Sequence, residues 1–547
     1  MASRPEQFNR SWDAIVVGSG ASGGVAALTL AEQGARVLVV EAGPDLSEGE
    51  AFGNEPANMW RRLTGITSGR HRRQAQHPGF WKTNPRLYAD EQLHPYEHPP
   101  QRPFLWTRGL QVGGRSLTWG GITLRLSDED FAGVCVDGEL TDWPIRLSDL
   151  AEHYGALESM LGVYGARDNL AHLPDGEMKV ALPLTEAETC FAGEVRQQLG
   201  YEVIQSRGFA PHDPDRDGAW PRSSSRGSTL PQAMATGRVD LLSDHMVERL
   251  VMAADGATAT GVIAVNQQDG SREVYKSALI VLCSSTIQSV AVLLRSSEQY
   301  QSGGFVDPSG RLGTRLMDHV STSQFFSLPG GAPKPQMPLS GAGSFFLPFG
   351  RHLDGVDFEG GYGLWGGISR FDPPNWLMRQ QNRTIGFLIG HGEVLPRASN
   401  QVSLSDKVDR WGIAIPHIDC CWSKNELAMT AHMRRTIAAC IQAAGGQAQP
   451  IQDLFRLPLI EPFLKGAVAL SDQAAPPGYY IHELGGAPMG NCEQTSVVDE
   501  RNRLWRVRNV LVVDGACWPT SAWQSPTLTM MAVTRRACLT AVNSLVE

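Results

Sequence analysis

Three glycines near the start of the chain and one acid after them have the residue types and spacing that bind a dinucleotide. Gly18, Gly20 and Gly23 form a GxGxxG pattern, and Glu41 follows 23 residues after the first glycine. Such glycines let the backbone approach a pyrophosphate at the start of a helix, and the acid accepts hydrogen bonds from ribose hydroxyls. A glycine-rich turn followed by an exposed glutamate is the simpler alternative. The motif alone does not distinguish FAD from NAD.

The residues around this motif predict a βαβ unit that positions it. An apolar run at residues 13–17 leads into the glycines, a helical pattern continues to Gln33, and Gly34 ends it. A second apolar run, Val37–Val40, then leads directly to Glu41. Strand, glycine turn, helix and strand in this order favour a Rossmann-like unit over an isolated turn.

Composition limits the class of protein and its partners. The 547 residues are 42% hydrophobic and 19% charged, with a net charge of −9, which is typical of globular proteins. A chain of this length exceeds what one hydrophobic core usually serves, so we expect two or more domains. It has no basic run for nucleic acid or an anionic membrane, and no apolar stretch that predicts a signal peptide or a membrane span. Nine cysteines without a CxxC pair fit reduced thiols in a cytoplasmic protein.

Four segments spread along the chain resemble the motifs of one enzyme family. They are GARVLVVEAGP, FLWTRGLQVGGRSLTWGG, YYIHELGGAPMG and NVLVVDGACWPTSAWQSPTLTMMAVTRRAC. Together they resemble successive signatures of the glucose-methanol-choline (GMC) flavoprotein oxidoreductases. Within that superfamily, the segment from HPY to DWP is similar to the bacterial sugar-oxidising branch, which includes gluconate dehydrogenases, glycoside 3-dehydrogenases and pyranose oxidases. The resemblance implies FAD as the cofactor and oxidation of an alcohol by hydride transfer to flavin N5.

The fold that the resemblance implies is α/β, with a discontinuous Rossmann-like FAD-binding domain and a sheet-rich substrate-binding domain. We assign residues 12–165, 205–318 and 470–547 to the FAD-binding domain, and residues 166–204 and 319–469 to the substrate-binding domain. Residues 55–104 are rich in His, Pro and aromatic residues with little periodicity, so we expect an excursion over the surface or over a site. From about residue 320 to residue 468, alternation broken by Gly and Pro favours a separate sheet.

One cofactor-binding loop is implied by the resemblance. Gly113, Gly114, Ser116 and Trp119 match the loop that runs beside the flavin ring in these enzymes. In the pyranose oxidases, a histidine one position before the tryptophan is bonded covalently to FAD. Thr118 stands at that position here, so we expect FAD to be held non-covalently.

Two further cofactor contacts are implied near the end of the chain. Asp514 and Gly515 match the Asp-Gly pair that holds the ribityl and pyrophosphate portion of the flavin. Pro526 and Thr527 begin the final helix, whose N-terminus would bring partial positive charge toward the flavin.

His482, in the segment HELGG, is the expected general base. It matches the histidine that faces the flavin in the sugar-oxidising relatives. An imidazole that titrates near neutrality can accept a hydroxyl proton while the hydride leaves the carbon. When the residue pattern is taken alone, a histidine before two glycines is more often structural, and the resemblance reverses this in favour of catalysis.

The chain departs from the family pattern at two places. The second catalytic position in relatives is an Asn or His, and Ser525 stands there, 43 residues after His482. Its hydroxyl could bond a substrate oxygen, or it could simply cap the helix that starts at Pro526. Gln524 is a less favoured substitute. Ser284 and Ser285 replace an Ala-Gly pair, which puts the local backbone geometry in question.

The remaining histidines have weaker patterns. We expect His319 and His391 to be core or domain-interface residues, and His94 and His98 to line a substrate entrance or lie in solvent. No cluster of His, Cys and carboxylates has the spacing of a metal site.

These observations predict oxidation of a hydroxyl of a sugar or glycoside to a carbonyl. Oxidation of a primary alcohol, such as an aminosugar 6'-hydroxyl, in a biosynthetic pathway is the second interpretation. A flavin-binding lyase without net redox, or a scaffold that has lost activity, are alternatives of another class. The electron acceptor stays open among oxygen, a quinone and a separate redox protein.

Overall fold

The computed structural model describes residues 11–136, 138–330, 337–351, 353–370, 379, 383–454 and 474–546. The strands in chain order are β1 Trp12–Val17, β2 Val37–Val40, β3 Val134–Val136, β4 Glu139–Thr141, β5 Ile204–Gln205, β6 Val239–Leu242, β7 His245–Met252, β8 Ala259–Asn266, β9 Arg272–Leu282, β10 Val320–Leu328, β11 Phe345–Gly350, β12 Tyr362–Ile368, β13 Thr384–Gly392, β14 Gln401–Val408, β15 Ala414–Asp419, β16 Gln447–Gln449 and β17 Val510–Val512. The α-helices are α1 Ala21–Glu32, α2 Glu48–Phe52, α3 Glu55–Thr67, α4 Leu147–Leu161, α5 Glu186–Leu199, α6 Pro214–Asp217, α7 Thr229–Ala235, α8 Thr286–Ser296, α9 Lys424–Ala443, α10 Ile451–Leu454 and α11 Thr527–Val546.

The first sheet contains the predicted βαβ unit. Its parallel strands lie in the order β6, β2, β1 and β9, and β17 pairs with the carboxyl-terminal part of β9. β1 and β2 are short apolar runs, as expected for parallel strands covered on both faces. The amino-terminal part of β9 instead pairs antiparallel with β8, and β8 pairs with β7. The carboxyl ends of β1, β2, β9 and β17 therefore meet at one edge, which is where such sheets bind nucleotides.

The second sheet is antiparallel, in the order β16, β10, β13, β12, β11 and β5. One of its faces packs on α5 and α9: Phe191 stacks on Phe326 at 5.8 Å, and Gly390 and Gly392 lie directly under methionines of α9. The glycines are needed because a Cβ at Gly392 would come within 2.3 Å of Met429 Sδ. The opposite face of the sheet is turned toward the first domain. Strand β5 lies across the predicted boundary between residues 204 and 205.

Residues 55–104 form more than the expected surface excursion. They contain α3 and three short 3₁₀ helices, and they enclose their own apolar cluster that includes Phe80, Leu87 and Tyr88. Short 3₁₀ turns leave no long period in the sequence, which is why the pattern looked irregular. His94 is buried against Trp411 at 5.1 Å between ring centroids, so the expectation that it lies in solvent is wrong, and its place at a substrate entrance stays a prediction. Burial lowers the pKa of His94 to about 3.

None of the helices among the described residues combines the length and apolar character needed to cross a bilayer. In the same residues, no group of three or more His, Cys, Asp and Glu side chains is arranged to hold a metal ion.

Candidate active site

The structure gives a reason for glycine at each of the three positions of the GxGxxG motif. A Cβ on Gly18 would come within 2.6 Å of the Cys283 carbonyl, and one on Gly23 would come within 1.9 Å of the Gly18 carbonyl. These two glycines therefore allow β1, α1 and β9 to pack closely. A Cβ on Gly20 would meet nothing within 4 Å, and no side chain caps α1 there. The amino end of α1 is thus open to an anion such as a phosphate.

Glu41 lies at the carboxyl end of β2 with only 6% of its surface exposed. Its Oε2 accepts hydrogen bonds from the backbone N–H of Ser19 (3.0 Å) and from Ser19 Oγ (2.6 Å), and its Oε1 accepts from Gly43 N (2.9 Å). Burial raises the pKa of this carboxyl above its ordinary value. The bonds join the acid to the glycine turn, as a nucleotide site of this type requires.

The loop expected beside the flavin lies against the same turn. Gly113 N donates to Ser19 Oγ at 2.9 Å, and Ser116 Oγ donates to the Gly113 carbonyl at 2.5 Å. Gly113 has φ +95° and Gly114 φ +51°, a backbone region that favours glycine. Thr118 follows at the end of a 3₁₀ helix, with its Oγ1 bonded to the Arg115 carbonyl at 3.3 Å.

Asp514 and Gly515 connect the sheet to the loop that carries His482. Asp514 accepts from Ser289 Oγ at 2.6 Å and from Ala516 N at 3.0 Å, and burial raises its pKa to about 6. A Cβ on Gly515 would lie 2.7 Å from the Glu483 carbonyl. Glycine at this position therefore lets the His482 loop lie directly on the end of β17.

Ser285 resolves the question raised by the Ser-Ser pair. It adopts φ +78°, so the serine is held in the backbone region that glycine occupies easily. Its Oγ accepts a hydrogen bond from Arg115 Nη2 at 2.8 Å, and Arg115 Nη1 also binds the Ile481 carbonyl at 3.2 Å and Glu483 Oε2 at 2.6 Å. Arg115 therefore connects the end of β9 to both neighbours of His482.

His482 is held at its backbone and at its ring by two consecutive residues. Its N–H donates to Asp318 Oδ1 at 2.9 Å, while the other oxygen of Asp318 accepts from Tyr480 N at 3.3 Å. Ile481, between them, has φ +65°, a strained value for a β-branched residue. The ring atom His482 Nδ1 lies 2.9 Å from His319 Nδ1.

Three further contacts of His319 and His391 complete this cluster. His319 Nε2 is 2.5 Å from the Ala522 carbonyl, and the ring of His319 lies 5.4 Å from that of His391. His391 Nδ1 is 2.9 Å from the Tyr480 hydroxyl. His319 and His391 are both buried, as expected of core residues, but they contact the predicted base or its neighbour. In the sequence, the signal for these contacts is the adjacent acid and histidine of LMDHV. Without the positions of the distant residues that they contact, that pair is interpreted as structural.

The surroundings of His482 favour the neutral form of its imidazole. Burial lowers its pKa well below 6.5, and nearby His319, His391 and Arg115 lower it further. A neutral imidazole is the form that accepts a proton.

The side chains of Ser525 and Gln524 differ in their hydrogen bonds. Ser525 is 93% buried, and its hydroxyl makes no hydrogen bond with any residue that the structure describes, so no helix-capping bond is seen. α11 begins at Thr527, and Met530 N donates to the Pro526 carbonyl at 2.9 Å. Gln524 Nε2 is bound to Asp130 at 2.6 Å, which makes this side chain a poor substitute for a substrate contact.

An open helix N-terminus, a buried acid at the adjacent strand end and a partly buried histidine are the features expected of a nucleotide-dependent oxidoreductase. Family models described as GMC oxidoreductase match residues 12–321 and 396–534. The chain therefore belongs to the GMC oxidoreductase family, as its motifs suggested. Members of this family are FAD-dependent flavoproteins that act on CH–OH groups, so FAD is its cofactor and it is an oxidoreductase of that class.

Several known proteins are similar over nearly the whole chain. Paromamine 6'-oxidase from Streptomyces fradiae is 26% identical over 98% of this chain and 93% of its own length. The large subunit of fructose dehydrogenase from Gluconobacter japonicus is 21% identical over 98% of both. Among solved structures, pyridoxine 4-oxidase from Mesorbium loti has a TM-score of 0.63, 18% identity and coverage of 97% and 99%, and this likeness supports the fold.

Proposed function

We propose that this flavoenzyme oxidises a hydroxyl group of a sugar or glycoside to a carbonyl, with His482 as the general base. The single observation that carries the proposal is the contact of His482 Nδ1 with His319 Nδ1 at 2.9 Å, which leaves the other ring nitrogen of His482 for the substrate. Its Nε2 is then the ring atom that can take the hydroxyl proton. FAD, when bound, accepts the hydride that leaves the same carbon.

The residues that hold FAD in this proposal come from two of the three parts of the FAD-binding domain, residues 12–165 and 470–547. The amino end of α1 binds the pyrophosphate, Glu41 binds the ribose, and Asp514 with Gly515 supports the ribityl portion. The loop at Gly113, Gly114, Ser116 and Thr118 borders the flavin ring, and Pro526 and Thr527 bring the amino end of α11 toward it. The support is the bonding of the loop to Ser19 and the open space beside Gly20.

The substrate chamber is proposed to use the face of the second sheet opposite α9. His391, Trp365 and Phe346 share that face, because opposed and alternate residues of antiparallel strands point the same way. Phe346 lies 5.6 Å from His391 and 5.9 Å from Trp523, next to the His482 cluster, and Trp365 is only half-buried. Aromatic walls with a few polar groups are typical of small-molecule pockets.

A primary alcohol of an aminosugar is the second candidate substrate. It is favoured by the full-length similarity to paromamine 6'-oxidase. Sugars with free secondary hydroxyls and aminosugars with a free 6'-hydroxyl therefore both belong in a substrate test.

Anaerobic mixing of the FAD-loaded enzyme with such a panel tests the function. The expected result is bleaching of the flavin absorbance with at least one sugar or aminosugar, and a much slower change in His482→Ala. Bleaching only with simple alcohols would reject the sugar assignment. A product formed without any bleaching would show the lyase alternative. Mixing the bleached enzyme with oxygen or with a quinone then identifies the acceptor.

We also propose that FAD is bound non-covalently, because Thr118 offers no imidazole to the flavin. Acid precipitation should release all yellow colour into the supernatant. Colour that stays in the protein pellet would contradict this proposal.

A cytoplasmic location is the last part of the proposal. All nine cysteines lie in described residues and all are free thiols, five of them buried. Free thiols persist in a reducing compartment. Recovery of the native protein from the periplasm of its source cells would reject this location.

A further inference from the structure

We propose that His319 is a positioning residue that fixes the proton of His482 on Nδ1 and so leaves Nε2 as the bare, basic nitrogen. The inference rests on the proposed function, in which His482 is the base. It adds the reason why the correct tautomer is present before substrate arrives. A His482 ring with its proton on Nε2 would donate to the substrate oxygen instead of accepting from it.

The first step of the argument is the Ala522 carbonyl. A carbonyl oxygen can only accept, and it lies 2.5 Å from His319 Nε2. His319 must therefore carry a proton on Nε2. Ala522 is buried, and the preceding residue, Ser521, is bonded through Oγ to both the N–H and the carbonyl of Val394 at 3.0 and 2.9 Å. The acceptor is thus held in place by the segment that directly follows β13.

The second step is the charge of His319. Its ring is 99% buried, and burial lowers its pKa to about 4, so it is neutral near pH 7. A neutral imidazole with its proton on Nε2 has a lone pair on Nδ1. His482 Nδ1 lies 2.9 Å from that lone pair and must donate to it. Since His482 is neutral as well, its Nε2 carries no proton.

The third step is that, within the part of the chain that the structure describes, no other hydrogen bond to the His319 or His482 ring competes. The neighbouring His391 is stacked at 5.4 Å from His319 and uses its Nδ1 toward the Tyr480 hydroxyl at 2.9 Å. Asp318, the residue before His319, holds the His482 backbone at 2.9 Å. The consecutive residues Asp318 and His319 therefore fix the position of the base and the location of its proton. The Ala522 carbonyl sets the direction of the hydrogen bond between His482 and His319.

Two substitutions of His319 separate its two contacts. In His319→Gln the amide nitrogen can reach the position of Nε2 and keep the bond to Ala522, but no acceptor remains at the position of Nδ1. In His319→Asn the amide oxygen can occupy the position of Nδ1 and keep accepting from His482, while the bond to Ala522 is lost. The pair therefore serves as test and matched control in the same FAD-loaded enzyme.

The tautomer is measured without substrate, by long-range ¹H–¹⁵N correlation spectra of protein labelled with ¹⁵N-histidine. The signals of His482 are assigned by their loss in His482→Ala. We expect the wild type and His319→Asn to show a protonated Nδ1 and a bare Nε2. We expect His319→Gln to lose this pattern and to reduce its flavin roughly 10²–10⁴-fold more slowly, with unchanged FAD content.

Three outcomes overturn the proposal. A wild-type His482 that carries its proton on Nε2 contradicts the chain of bonds directly. A slow His319→Gln variant with the wild-type tautomer shows that His319 only supports packing, and an altered tautomer with the wild-type rate shows that the proton position does not matter. If His482→Ala reduces its flavin normally, the proposed function fails, while the spectra still decide the tautomer.

Discussion

The nucleotide end and the catalytic end of the site are built from different kinds of groups. At the nucleotide end, Gly18, Gly20 and Gly23 act through their backbone and their missing side chains, and all lie within one turn and one helix. At the catalytic end, side chains of His482, His319 and Asp318 meet although His482 and His319 are 163 residues apart in the chain. The turn and helix of one end therefore form within a short segment, whereas the other end depends on contacts between segments that are distant in the chain.

Removal of the base should give the largest effect at the catalytic end. We expect His482→Ala to slow flavin reduction by substrate about 10²–10⁴-fold, the usual loss for a positioned general base, while FAD stays bound. Stopped-flow absorbance measures the rate, and the flavin spectrum measures occupancy. His417→Ala, in β15 and outside the cluster, is the control and should reduce its flavin at the wild-type rate. A normal rate in His482→Ala would make His482 structural.

At the nucleotide end, two glycine substitutions should separate folding from cofactor binding. Gly23→Ala places a Cβ 1.9 Å from the Gly18 carbonyl, so we expect the free energy of unfolding to fall by about 1–3 kcal/mol, as in overpacked cores. Gly20→Ala meets nothing within 4 Å and should fold normally, but its methyl group should weaken FAD binding. Urea unfolding of the FAD-free proteins and FAD titration measure the two effects. If both variants had the same free energy of unfolding, the assignment of Gly23 to folding and Gly20 to FAD binding would be contradicted.

The difference between short-range and long-range contacts explains which parts of the fold and of the site could be predicted from the sequence. The βαβ unit around Gly18 and Glu41 follows from apolar periodicity and turn residues, which are local signals, and α1 ends within one residue of the predicted position. His482 was reached only through the family resemblance. The contacts of His319, Asp318 and Arg115 with the His482 loop could not be predicted, because they form only when distant segments pack together.

Ser525 tests whether the catalytic end has lost its second group or replaced it. Because the hydroxyl makes no capping bond in the described residues, Ser525→Ala should cost less than about 1 kcal/mol of unfolding free energy. If the hydroxyl orients the substrate beside His482, flavin reduction should slow more than about tenfold, which corresponds to about 1.4 kcal/mol. Ser525→Asn should keep stability and change substrate preference. Identical reduction rates in the wild type and both variants would show that His482 works without it.

The smallest expected effect concerns Ser285, which joins the two ends through Arg115. Its φ of +78° strains any residue with a Cβ, and its Oγ accepts from Arg115 at 2.8 Å. Ser285→Ala keeps the strain and loses the bond, whereas Ser285→Gly loses the bond but relieves the strain. We therefore expect the alanine variant to unfold about 1 kcal/mol more easily than the glycine variant. Thermal unfolding of the two FAD-loaded variants measures this difference.

If both variants also reduce their flavin at the wild-type rate, the serine bond is not needed to hold Arg115 against Ile481 and Glu483. A slower rate in both would show that the catalytic loop depends on an anchor at the nucleotide end.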